Sequence, residues 1–134
     1  MRYLATALCA LYLAVLTAGL FLPDPFAVAG AEGAALRTLY FDKVDPVGHV
    51  LAFLPLGFLS CASPWPRRGA VRLGLAAAYA LASEPLQMFF PPRTPQWSDL
   101  IEDFIGLALG AACWWALTRL RRGKRAAARE QPEW

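Results

Sequence analysis

The 134-residue chain has little charge and almost no histidine: charged residues are 17% of it, and His49 is the single histidine. With no Ser-His-Asp order and no recognisable phosphatase signature, triad hydrolysis has no support in the sequence. A Gly-rich phosphate loop and a solenoid repeat are also lacking, which removes P-loop and repeat architectures. The three cysteines, Cys9, Cys61 and Cys113, lie within or at the ends of apolar segments. They form no CxxC pair and no metal-ligand spacing, so they read as small buried hydrophobes. No cofactor and no nucleic-acid partner are expected.

What the chain has in abundance is apolar sequence: 57% hydrophobic residues and a mean hydropathy of +0.39. That is unusual for a soluble globule and points to a membrane protein. A bilayer core of about 30 Å needs roughly 20 apolar residues per helix. Four segments approach or meet this: Tyr3 to Leu22, Val47 to Ser63, Val71 to Phe90 and Leu100 to Leu117. The expectation is an all-α, four-transmembrane-helix bundle forming one domain over residues 1–134.

Basic residues orient such a bundle, because Lys and Arg near helix ends stay cytoplasmic. Arg2, the cluster Arg67, Arg68 and Arg72, and the tail from Arg119 to Arg129 fall on one side, leaving Arg37, Lys43 and Arg93 opposite. Both termini are therefore expected in the cytoplasm, in a multi-pass protein of the cell membrane. The basic tail, 119–134, is read as a topology signal rather than a lipid-recognition element. A rival for the first segment is a signal peptide cleaved after "AVA", Ala27 to Ala29. Its apolar run exceeds the usual 7 to 15 residues, so a retained span is expected.

In this topology the polar residues gather at one level. Asp45 and His49 lie near the outer end of the second span, Glu84 and Gln87 in the outer half of the third, Arg93 in the following loop, and Asp99 and Asp103 at the outer start of the fourth. At 100° per residue Asp99, Asp103, Gly106 and Gly110 share a helix face within about 60°. Gly106 and Gly110 form GxxxG, whose natural partner is another helix of the same bundle. Glu84 and Gln87 share a face with Ala77, Ala80 and Leu81. A carboxylate facing lipid is costly, so Glu84 should face the interior and find a partner, His49 or Arg93. Pro55 and Pro85 free the carbonyls of Leu51 and Leu81, in keeping with a polar, slightly open interior. Each polar residue also has a plainer reading: Asp99 as a helix-start acid, His49 as an interfacial side chain, Trp97, Phe89, Phe90 and Trp65 as interfacial aromatics.

The pattern D-x-x-x-H, then E-x-x-Q, a loop Arg, and D-x-x-x-[N/D]-x-x-G-x-x-x-G resembles the VanZ-like family of small bacterial membrane proteins. The motifs run from Asp45 to Gly110, and the preceding apolar segment fits that family's four-span layout. The resemblance places the family's polar positions on Asp45, His49, Glu84, Gln87, Arg93 and Asp99. Two positions depart from the pattern. Pro46 stands where the family usually has Lys, with Asp42-Lys43 displaced upstream, and Asp103 stands where it usually has Asn. The family takes its name from a protein associated with teicoplanin resistance, and its biochemical activity is not established. The resemblance therefore implies an outward-facing site near cell-envelope lipids without naming a substrate.

The expected function is binding of an anionic or amphiphilic ligand, such as a lipid headgroup or lipid-linked envelope precursor. Arg93 would pair with phosphate or carboxylate, Gln87 would orient it, and Glu84 with Asp99 would hold Arg93 and His49. An enzyme reading makes His49 a general base or nucleophile oriented by Asp45 or Glu84. A metal variant on His49, Glu84 and Asp99 has suitable ligand types, but one His and scattered carboxylates are a nonspecific pattern, and no metal is expected. A third reading has the polar set staple the bundle or a partner interface. Interhelical polar contacts in membranes average under about 1 kcal/mol, which makes stapling alone a poor reason for so many.

Overall fold

A backbone carried by side chains this apolar must satisfy its own hydrogen bonds, and a helix does so within each segment. The computed structural model describes residues 2–21, 45–66, 68–89 and 96–129. They form four helices: α1 (Arg2–Phe21), α2 (Asp45–Ala62), α3 (Gly69–Gln87) and α4 (Trp97–Arg129). No strand occurs among the described residues. Pro46 falls in the first turn of α2, where its missing N–H costs nothing. Asp99 falls in the first turn of α4, where an acid complements the helix dipole. Helix α3 stops at Gln87, and the amides of Met88 and Phe89 turn back onto the carbonyls of Pro85 and Leu86.

One boundary differs from expectation. The fourth helix continues through the basic tail to Arg129 rather than ending near Leu117. Arg, Lys and Ala are good helix formers, and Gly123 alone is too weak a breaker to stop them.

Helix α2 is central, touching the other three, and its main partner is α4. The reason lies in three glycines. A Cβ on Gly106 would come within 2.5 Å of the Val50 carbonyl oxygen. A Cβ on Gly110 would strike the Leu54 carbonyl, and one on Gly57 would strike the Leu107 carbonyl. The two backbones thus lie in direct contact, as GxxxG permits. The expected partner, a helix of the same bundle, is found, and Gly57 completes the seam from the other side. Phe58 and Trp114 extend it with an edge-on ring contact at 5.3 Å.

Helices α1 and α3 close the other flank. Leu16, Leu20, Phe53, Leu56, Ala76, Ala80 and Leu107 make the buried core. The Tyr12 hydroxyl donates to the Ala52 carbonyl, and Tyr79 and Thr17 share a hydrogen bond of 2.9 Å. Larger apolar side chains point outward along every helix: Leu4, Leu8 and Leu11 on α1, Leu51 on α2, Leu75 and Leu81 on α3, Ile101, Ile105 and Trp115 on α4. Glycines along the α2–α4 seam and large apolar residues outside suit a lipid environment better than water. The cysteines fit less well than expected as buried hydrophobes: Cys9 and Cys61 are half-buried and Cys113 is exposed.

Two helical segments, Tyr3–Phe21 and Trp97–Arg125, are long and apolar enough to cross a membrane. The apolar part of α2, Val47–Ala62, is shorter, and α3 carries Arg72, Glu84 and Gln87.

Candidate functional site

The start of α2, the end of α3 and the start of α4 meet at one end of the bundle, and each brings polar side chains inward. His49 lies one turn into α2, Glu84 and Gln87 in the last turn of α3, and Asp99 and Asp103 in the first two turns of α4. Asp103 precedes Gly106 by three residues, so the seam that draws α4 onto α2 also presses this acid against α2. Asp103 is 0% exposed, Gln87 3%, Glu84 6% and His49 9%. Asp99 is half-buried at the rim.

The centre of the cluster is a hydrogen bond of 2.8 Å from His49 Nδ1 to Asp103 Oδ1. With Asp103 ionised, the proton sits on Nδ1 and the Nε2 lone pair points away from the bond. Asp99 Oδ2 lies 3.7 Å from Nε2. A ligand atom each from His49, Glu84 and Asp103 fall within 4.8 Å of one another. The Ser98 hydroxyl donates to Asp99 Oδ1, and the Asp99 amide to the Gln96 carbonyl, which holds the rim acid in place.

Satisfaction is incomplete. Both carboxylate oxygens of Glu84, Nε2 of Gln87 and Oδ2 of Asp103 are buried without a hydrogen-bond partner. The backbone N–H of Gln96 faces Glu84 without closing a bond to it. Among the described residues no lysine or arginine pairs with Glu84, Asp99 or Asp103. Three carboxylates therefore share one imidazole in a place where unpaired charge is costly.

Beside Glu84 the cluster opens into a cavity of about 380 Å³ lined by Leu81, Glu84, Pro85, Met88, Gln96, Trp97 and Leu100. Its wall is almost wholly apolar, with Glu84 as its acid. Pro85, which leaves the Leu81 carbonyl without its helical donor, lines the same space.

The structure brings together five of the seven residues singled out by sequence: His49, Glu84, Gln87, Asp99 and Asp103. Asp45 begins α2, but its side chain lies outside the described residues, as does Arg93. His49 bonds to Asp103 rather than to Glu84, one of the two orienting residues the sequence suggested for an enzyme; the other, Asp45, has its side chain outside the described residues. Glu84 approaches His49 without bonding to it. Leu81, expected on the buried face of α3, is 56% exposed and lines the cavity, while Ala76, Ala80 and Ser83 take the buried face. Ser83, 1% exposed and donating to the Ala80 carbonyl, escaped sequence reasoning; its i, i+4, i+7 spacing with Ala76 and Ala80 was the available signal.

The fold and the site define a class: a small all-α protein, with two helices long and apolar enough to cross a membrane, whose packed helices bury an acidic and histidine-containing centre at one end. The chain belongs to the VanZ/LLP1 family, whose model matches residues 9–119. The match takes in α1 from Cys9 onward as well as the motif-bearing region. Comparison with curated proteins and with solved structures gives no match.

Proposed function

We infer that this VanZ-like protein crosses the membrane four times with both termini cytoplasmic, and that its acidic centre faces outward as a binding site for an envelope lipid or other amphiphile. The excess of basic residues at the opposite level supports the orientation. The single observation that carries the ligand class is the cavity beside Glu84. It has an apolar wall from Leu81, Pro85, Met88, Trp97 and Leu100, and a buried carboxylate with no hydrogen-bond partner. An acyl or isoprenyl chain fits the wall and a polar headgroup fits the acid. Headgroup amines or hydroxyls would donate to Glu84 and Asp99, and Gln87 has an unused N–H for an acceptor. Arg93 would take a phosphate or carboxylate, as in a lipid-linked envelope precursor. The tie to glycopeptide resistance is proposed on the family resemblance alone, and teicoplanin susceptibility of a host with and without the protein tests it.

Native mass spectrometry of the purified protein tests the binding site. Wild type should carry a discrete amphiphile mass, and Leu100→Trp, which adds bulk to the cavity wall while leaving every polar residue in place, should lose it. Retention by Leu100→Trp with the fold intact would sink the cavity as the site. Arg93→Ala should weaken retention only if the headgroup is anionic.

The His49–Asp103 pair favours a second reading, hydrolysis or group transfer on such a lipid. An imidazole whose Nδ1–H is held by a buried carboxylate leaves Nε2 as a general base. Among the described residues no serine or cysteine bonds to His49, so water or a substrate hydroxyl would be the attacking group.

A further inference from the structure

The acidic centre holds more negative charge than the described protein groups offset. Glu84 is 6% exposed with both oxygens unpartnered, and Asp103 is 0% exposed with Oδ2 unpartnered. A carboxylate buried this deeply is paired, coordinates a metal or takes up a proton. Here a nitrogen donor stands beside them, and one ligand atom from each of His49, Glu84 and Asp103 lies within 4.8 Å of the other two. A tetrahedral ion with bonds of about 2.1 Å places neighbouring ligand atoms roughly 3.4 Å apart. Rotation of the unpartnered Glu84 carboxylate is the movement available to close the set, because no hydrogen bond restrains it.

We propose that His49, Glu84 and Asp103 form a binding site for a divalent transition-metal ion, with Asp99 at its open rim. One imidazole with two or three carboxylates suits Zn²⁺ or Mn²⁺ better than Ca²⁺ or Mg²⁺, whose sites are built from oxygen alone. The donor set comes from three helices, α2, α3 and α4, so the ion ties the end of the bundle together. It supplies the positive charge that Glu84 and Asp103 lack among the described residues. When the ion takes the place of the proton on His49 Nδ1, the imidazole carries its N–H at Nε2, where Asp99 Oδ2, 3.7 Å away, is placed to accept from it. The proposal goes beyond the amphiphile reading and stands without it.

The test uses the full chain in detergent, stripped with a chelator and dialysed, then titrated with Zn²⁺ and separately with Mn²⁺. Elemental analysis and calorimetry read stoichiometry and affinity. One ion per chain is expected. Glu84→Gln should lower affinity by more than the roughly 10–100-fold that follows loss of an outer-shell partner, whereas Asp99→Asn should fall within that range. Asp103→Asn keeps an acceptor for His49 and serves as a second ligand variant whose fold is preserved; it too should lose the ion. A triple variant, Cys9→Ala with Cys61→Ala and Cys113→Ala, should bind as wild type. Leu100→Trp should also keep the ion while losing the amphiphile, which separates the two proposals. Absence of stoichiometric metal in folded wild type, or loss of it in the cysteine variant but not in Glu84→Gln, overturns the site.

Discussion

The two ends of the bundle are both polar, yet they treat their polar groups in opposite ways. Where α1 begins, α2 ends and α3 begins, the groups are used. Ser63 shares a hydrogen bond of 3.0 Å with Thr6 and donates to the Trp65 carbonyl at 2.9 Å, while Arg72 donates to the Pro66 carbonyl at 2.9 Å. Arg72 Nε is the exception there, buried without a partner. A cavity of about 220 Å³ lies beside these residues, lined by Leu13, Leu56, Leu75 and Tyr79 among others. At the acidic end, by contrast, the His49–Asp103 bond and the contacts that hold Asp99 at the rim are made, while both oxygens of Glu84, Nε2 of Gln87 and Oδ2 of Asp103 have no partner. Hydroxyls that cap chain ends hold the fold together. Carboxylates buried without partners mark where something else binds, since native proteins leave few such groups unexplained.

The largest effect that would break this comparison is expected at the seam joining the two ends. Gly110→Val would drive side-chain atoms into the Leu54 carbonyl and the Phe58 amide, and should cost about 3 kcal/mol, the upper part of the overpacking range. Thermal unfolding in detergent should show both ends lost together; an unchanged transition would mean that the backbones are not in contact. Next comes Asp103→Ala, which strands a buried imidazole N–H and should cost about 2 kcal/mol. It should abolish binding at the acidic end as well, and a variant that binds normally would remove Asp103 from the site. Smallest is Ser63→Ala, at about 1 kcal/mol. Its stability loss should come with no change in bound amphiphile or metal, and any change there would show that the two ends are coupled.

The sequence made the acidic end legible because charge is so scarce in this chain. Six residues that are acids, an amide or an imidazole stand out at one level of an apolar bundle without any structure, and helical spacing alone put Asp103 on the glycine face. The partner of His49 was not legible. Choosing Asp103 over Glu84 depends on how far α4 sinks against α2, and that depth is set by Gly57, a residue with no pattern of its own in sequence. The outward turn of Leu81 was hidden for a similar reason: Pro85 and the end of α3 decide which apolar residues face the cavity. The length of α4 was missed because the tail was read for its charge, while its helix-forming residues were the stronger signal.

The seam also sets a clock. Helix α2 leaves the ribosome well before α4, and its close-packing face, with Gly57 and the Val50 and Leu54 carbonyls, has no counterpart until Gly106 and Gly110 have been made. Its apolar part, Val47–Ala62, is shorter than either α1 or α4. A nascent chain halted before Trp97 therefore holds His49 without Asp103 and a helix without its main support. Completion of the last helix is the event that both gives α2 its close-packing partner and creates the buried acidic centre.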